Sequence, residues 1–135
     1  MAECCSGTTK LLYACSGAAD VGQIADRVTR NLRDCGFARM TCLAGVGADI
    51  SGFVESARSA DLNITIDGCG TMCAKKALER IGITPVSYAL TDFGIEKGKT
   101  PPTEEIVIKL SQQIMRQEGP APGPQAPGCS CGGTC

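Results

Sequence analysis

Histidine is absent from the 135-residue chain. The usual general base near neutral pH and the commonest neutral metal ligand are both missing, so neither a Cys–His nor a Ser–His–Asp mechanism can be assembled. Charge of one sign is scarce too. The 13 Lys and Arg against 14 Asp and Glu leave a net charge of −1, with no long basic run to attract a phosphate backbone or an anionic membrane. The expectation is no nucleic-acid and no membrane partner. Long apolar runs are missing as well: none approaches the ~20 residues of a membrane span. The opening MAECCSGTTKLLYAC lacks the basic start and long apolar stretch of a secretory signal, which predicts a cytoplasmic protein.

What is present is cysteine, ten in all, in a chain whose apolar fraction of 43% suits one domain with a core of its own. In a reducing compartment disulfides are not the default use of so many thiols, and metal binding or thiol redox chemistry is. Without histidine, any metal site must be built mainly from thiolates.

The chain repeats a strand–turn–helix unit. Leu11 to Ala14 is a short apolar run ending in Cys15-Ser16-Gly17. Asp20 and Gln23 follow at capping-box spacing, before Val21, Ile24, Ala25, Val28 and Leu32 on one helical face. Gly36 stops that helix. Phe37 to Leu43 predicts a second strand containing Cys42, with Gly45 and Gly47 in the turn and a shorter helix carrying Ile50, Phe53, Val54 and Ala57. Leu62 to Ile66 predicts a third strand, Asp67-Gly68-Cys69-Gly70 its turn, and the stretch from Thr71 a helix ending at Gly82. Pro85 to Leu90 is a fourth strand. A loop with Gly94, Gly98, Pro101 and Pro102 leads to a last helix, with Thr103 at its N-cap and Ile106, Val107, Leu110 and Ile114 inward. Strands alternating with helices predict a three-layer, Rossmann-like α/β domain: about four mostly parallel strands with helices on both faces. That domain is expected over residues 1–118, followed by a Pro/Gly-rich linker, 119–128, and a Cys-rich tail, 129–135.

In a parallel sheet all strands finish on one edge, where such folds place their ligands. Cys15, Cys42 and Cys69 recur every 27 residues, each at a strand end, and Cys73 lies one helical turn beyond Cys69. A cysteine in a tight turn is ordinarily a small hydrophobe. Four of them on one edge point instead to a shared metal or redox site, and four thiolates match the tetrahedral sulfur set of zinc, at ~2.3 Å per bond. Copper(I) and iron–sulfur clusters accept the same ligands. Glycine-rich turns leading into helix N-termini are expected to lower the pKa of these thiols. An unknown protein or small molecule would meet the chain at this cysteine edge.

The segments CSGAAD with GQ (Cys15 to Asp20, Gly22, Gln23), MTCLAGVG (Met40 to Gly47), IDGCGTMCA (Ile66 to Ala74) and LTDFGIEKGK (Leu90 to Lys99) resemble the DGC-domain family, named for its Asp-Gly-Cys triplet. The resemblance covers about residues 10–99, with the motifs in order. It implies a four-cysteine zinc site on Cys15, Cys42, Cys69 and Cys73, and it implies no reaction and no substrate, so whether the chain is an enzyme stays open.

Other patterns weigh less. Gly45-Val46-Gly47 and Gly68-Cys69-Gly70 follow strands but lack the third glycine and the acidic residue of a dinucleotide fingerprint, so tight turns explain them better. CSGAADVGQ lies where a phosphatase-like loop would lie, yet has no arginine to hold a phosphate. Asp67 reads as a turn-forming residue or an acceptor behind the metal ligands, Asp20 as a cap, and Thr91 and Asp92 as polar groups facing the cleft. Cys35 reads as structural and Lys75 and Lys76 as a solvated face. Cys129, Cys131 and Cys135 form a second cluster on a linker that, at ~3 Å per extended residue, spans ~30 Å and reaches the cleft. That cluster predicts soft-metal binding or thiol exchange, with Cys4 and Cys5 as helpers. Zinc binding by the domain therefore competes with a thiol–disulfide oxidoreductase or soft-metal transfer protein that uses the tail.

Overall fold

A computed structural model describes residues 8–118. The linker at 119–128, the tail with Cys129, Cys131 and Cys135, and Cys4 and Cys5 lie outside the described residues. Four strands, β1 (Lys10–Ala14), β2 (Arg39–Met40), β3 (Leu62–Asp67) and β4 (Val86–Ala89), form an all-parallel sheet in the order β2-β1-β3-β4. The helices are α1 (Asp20–Asp34), α2 (Leu43–Gly47), α3 (Ser51–Ser59), α4 (Cys73–Arg80) and α5 (Glu104–Glu118).

Side-chain alternation along β1 sorts the core into two layers. Leu12 joins Ile24, Val28, Leu32, Ile64, Ile66, Leu110 and Ile114 on the face covered by α1 and α5. Leu11 and Tyr13 turn to the other face with Val46, Ala57 and Leu78, from α2, α3 and α4. The strand order explains the layering. The chain steps from β1 to β2 in one direction, then crosses back to β3 and on to β4 in the other, and right-handed crossovers put the connecting helices on opposite faces. Each fully buried Leu or Ile here contributes ~1.5–3 kcal/mol. Tyr13 and Asn63 pair within the core: Tyr13 Oη donates to Asn63 Oδ1 at 3.0 Å, and Asn63 Nδ2 donates to the Ala57 carbonyl at 2.9 Å.

Several boundaries differ from the sequence expectation, each for a local reason. The second strand spans two residues instead of 37–43. Phe37 is buried in the core, and the chain from Cys42 winds into α2, a helical turn that the glycine pair had suggested as a plain loop. Cys42 Sγ accepts Gly45 N–H at 3.3 Å and acts as its cap. α4 starts at Cys73 rather than Thr71 because Met72 adopts left-handed backbone, φ 56°. Leu90 opens a 3-10 turn, Leu90–Phe93, instead of ending β4. The capping box at α1 does not form. Ala19 is the N-cap, and the carboxylate of Asp20, the first helical residue, accepts Val21 N–H at 2.8 Å and also reaches another loop. Thr103 caps α5 as expected, its Oγ1 accepting Ile106 N–H at 3.4 Å.

Candidate functional site

The strand order reverses between β1 and β3, which opens a crevice beyond their C-terminal ends where open parallel sheets bind ligands. Cys15 stands at its mouth. Its N–H bonds to the Ile66 carbonyl at 3.1 Å, which continues the β1–β3 ladder, and its Sγ accepts Gly68 N–H at 3.4 Å. The next residue, Ser16, has φ 49°, a left-handed conformation that is strained for a non-glycine residue and recurs at functional turns.

Two glycines allow the loops to close this tightly. A Cβ on Gly68 would lie 2.5 Å from the Val21 carbonyl oxygen, and one on Gly22 would lie 2.6 Å from that of Gly17. The first turn of α1 thus rests backbone against backbone on the β3–α4 turn, and any side chain at these two positions would separate them.

Asp67, at the end of β3, is buried. Its two carboxylate oxygens accept Ala74 N–H at 2.8 Å and Lys75 N–H at 3.1 Å. Since left-handed Met72 gives no side-chain cap, Asp67 satisfies the exposed N–H groups of α4 from five residues upstream of the cap position, and helix-dipole attraction adds to the hydrogen bonds. Neither sequence reading of Asp67 anticipated this. Both oxygens are engaged, so serving as a metal ligand would cost α4 its cap. Burial pushes the Asp67 carboxyl pKa up, and the two N–H bonds and the nearby Lys75 and Lys76 charges oppose that rise.

The thiols differ. Burial pushes Cys15 up first of all; Gly68 and Gly17 N–H groups oppose the rise, and the charges of Asp67 and Cys73 add to it. The expectation of uniformly lowered thiols is therefore corrected at Cys15: desolvation outweighs the turn's N–H donors. Cys69 follows the expectation. The Thr71 hydroxyl, 3.4 Å from its Sγ, is the main cause of its depressed pKa, joined by Thr71 N–H and the Lys97 charge. Cys73, the first residue of α4, is exposed and close enough for its charge to act on Cys15.

Cys42 is exposed beyond β2 and lines a cleft of about 450 Å³ together with Ser16, Asp26, Arg30, Thr41 and Phe53. The structure thus brings Cys73 near enough for its charge to act on Cys15, puts Cys69 on the turn between β3 and α4, and leaves Cys42 on the far side of β1. Among the described residues, no three His, Cys, Asp or Glu side chains stand close enough together to hold a metal ion. The donors fit a thiophilic cation in kind, being thiols with N–H groups aimed at sulfur, and in this arrangement they are not gathered. Cys35 is buried at the C-cap of α1. Thr91 and Asp92 belong to the 3-10 turn after β4. Lys75 pairs loosely with Glu79 at 3.8 Å, and Lys76 is exposed.

Sequence reasoning missed the strap over the site. The segment between the 3-10 turn and α5 is tied to α1 by Asp20, whose carboxylate accepts Gly98 N–H at 2.9 Å and Thr100 N–H at 3.3 Å. Arg27 holds the strap's far end through the Pro102 carbonyl and Glu104, the latter at 2.8 Å. Lys97 on this strap is the cation that acts on Cys69. The positive φ of Gly94 and Gly98 shapes the loop, and the glycines were its visible signal; which helix the loop docks on was not.

The DGC domain family profile matches residues 11–115, a span that holds Asp67-Gly68-Cys69 at the end of β3. The chain belongs to that family. It is 38% identical over 88 residues to the anaerobic and virulence modulator AnvM of Pseudomonas aeruginosa, a match covering 64% of this chain and 67% of that protein. No solved structure matches the chain. Among the described residues, no helix is long and apolar enough to cross a membrane.

Proposed function

We propose that this DGC domain is a thiolate metal-binding module that takes one zinc ion at the C-terminal edge of its sheet through Cys15, Cys42, Cys69 and Cys73. The observation that carries the reading is the β1/β3 crevice. Cys15 follows β1 there and Cys73 opens α4 close enough for its charge to act on Cys15, each beside a left-handed residue, Ser16 or Met72, with Gly68 N–H aimed at the Cys15 sulfur. Bound zinc would hold these sulfurs as thiolates, offsetting the burial that raises the Cys15 pKa. Its binding would draw the Cys69 turn and the Cys42 cap toward the crevice. The core layers on both faces of the sheet do not depend on the ion, so zinc-free protein keeps a cooperative fold with a looser edge.

The test is metal content per chain in protein purified without chelator. One zinc per chain is expected, lost in Cys69→Ser and retained when residues 119–135 are removed. Metal-free protein, or zinc that disappears with the tail, overturns the assignment.

One observation favours a second reading. The thiolate of Cys69 is stabilised by Thr71 and Lys97 at a partly exposed turn, as an attacking thiol requires. Cys69 would attack a partner's disulfide, releasing one sulfur as a thiol that takes up a proton. Cys73 would then displace the second sulfur in the same way, which leaves a Cys69–Cys73 disulfide and a reduced partner. The Cys-x3-Cys spacing differs from the Cys-x-x-Cys of thioredoxin-like proteins, but a relative described as an anaerobic and virulence modulator accords with a site that responds to oxidation. Protein that carries no metal but forms a mixed disulfide at Cys69 would select this reading.

A further inference from the structure

β2 is the outer strand on its side of the sheet, and its pairing leaves one residue facing away. Thr41 N–H bonds to the Leu12 carbonyl at 3.0 Å, and Leu12 lies opposite Met40 in the parallel register. In such a ladder the residues flanking Met40 make the bonds to β1, so the N–H and C=O of Met40 itself point outward. No described residue bonds to them. Open clefts lie on either side of this edge. One, of about 450 Å³, is lined by Ser16, Asp26, Arg30 and Phe53. The other, of about 330 Å³, is lined by Thr9, Arg39, Ser56 and Ser59, and Met40 and Thr41 belong to both.

An unpaired strand edge with pockets on its two sides is the form of a site that accepts an added strand: main-chain bonds supply affinity, and alternate side chains enter alternate pockets. The charges choose the occupant. Arg30 uses Nε on Asp26 at 2.8 Å, while among the described residues no acceptor meets its terminal nitrogens and no acidic side chain pairs with Arg39. Pairing β2 with β2 of a second copy would bring these guanidinium groups together, and an acidic strand would neutralise them.

We propose that the β2 edge is a strand-addition site that takes an extended acidic segment of a partner protein as a fifth strand, bonded to the Met40 backbone with its side chains in the two clefts. The site rests on the Met40 backbone and the arginines, and Cys42 of the metal reading lines the larger cleft beside them.

The probe is an acetylated, amidated Glu-Val-Glu-Val-Glu-Val peptide titrated into isotope-labelled protein. Amide shifts confined to residues 38–42 and the cleft walls are expected, with slower exchange at Met40 N–H. N-methylation of one alternate set of peptide residues weakens binding by about tenfold or more, and methylation of the other set spares it. Replacing Glu with Lys weakens binding similarly, and Arg39→Glu reverses that preference. Binding persists with zinc present or removed, while the shifts around Cys42 differ between the two. The proposal is overturned if both N-methylated peptides bind like the parent, if no shift appears at millimolar peptide, if the shifts lie elsewhere, or if the edge instead pairs two copies of the chain in a dimer that Met40→Pro dissolves.

Discussion

The two flanks of β1 are built from equivalent sequence positions and end up unlike. Toward β3 the ladder runs five residue pairs, from Lys10 with Leu62 to Ala14 with Ile66, and continues past the strand through the bond from Cys15 N–H. Toward β2 it runs two pairs and opens into a cleft. Cys69 and Cys42 each lie 27 residues from the previous cysteine of the series, yet Cys69 sits on a turn pressed against α1 and Cys42 caps an outlying helical turn. A repeat in sequence sets which edge a residue reaches. The length of the neighbouring ladder and the tightness of the loop contacts set what it meets there.

Three measurements would sharpen or break this contrast. The largest effect is expected at the tight flank. Gly68→Ala drives a Cβ against the Val21 carbonyl and should cost about 2–3 kcal/mol in denaturant unfolding. Gly70→Ala, whose Cβ would meet nothing within 4 Å, should change stability by less than about 1 kcal/mol. Equal losses would mean the backbone contact is not what closes the crevice. Next comes thiol chemistry: at neutral pH Cys69 should be alkylated faster than Cys15 by roughly an order of magnitude, since burial disfavours the Cys15 thiolate and Thr71 and Lys97 favour that of Cys69. Mass spectrometry of partly alkylated protein reads this directly. Lys97→Glu should slow Cys69 and leave Cys15 unchanged.

The smallest effect concerns the strap. Hydrogen bonds from Gly98, Val21 and Thr100 hold the Asp20 carboxyl below its usual range. A carboxyl with a depressed folded pKa lends stability above its unfolded value and loses that contribution as pH falls through the folded one. In Asp20→Ala the Gly98 and Thr100 amides should exchange faster at neutral pH, and the difference from the parent should shrink on acidification below about pH 4. A difference that persists in acid would assign the strap's anchoring to Arg27 instead.

Much of the architecture was legible because it rests on short-range patterning. The face carrying Val21, Ile24, Ala25, Val28 and Leu32 is the buried face of α1, and Val107, Leu110 and Ile114 are the buried side of α5. Boundaries failed where a single residue's local geometry intervened. Cys42 capped a turn that its glycines had suggested as loop, and Met72 shortened α4 at its start. The roles of Asp67 and Asp20 were the least legible. Each carboxylate takes N–H groups from residues 7 and 8, or 78 and 80, positions away, and a local motif such as a capping box assigns such groups to the nearest helix.

By itself the sequence determined the class of fold, the alternation of strand and helix, and the delivery of Cys15, Cys42 and Cys69 to one edge, since hydrophobic periodicity and the common direction of parallel strands act through neighbours in the chain. Only the tertiary structure decided that β3 and not β2 closes tightly on β1, that desolvation raises the Cys15 pKa while the Lys97 charge helps lower that of Cys69, and that among the described residues Met40 is left as an open edge. Those outcomes depend on strand order and on backbone contacts between segments far apart in sequence, where the arrangement of neighbours in space sets desolvation and hydrogen bonding.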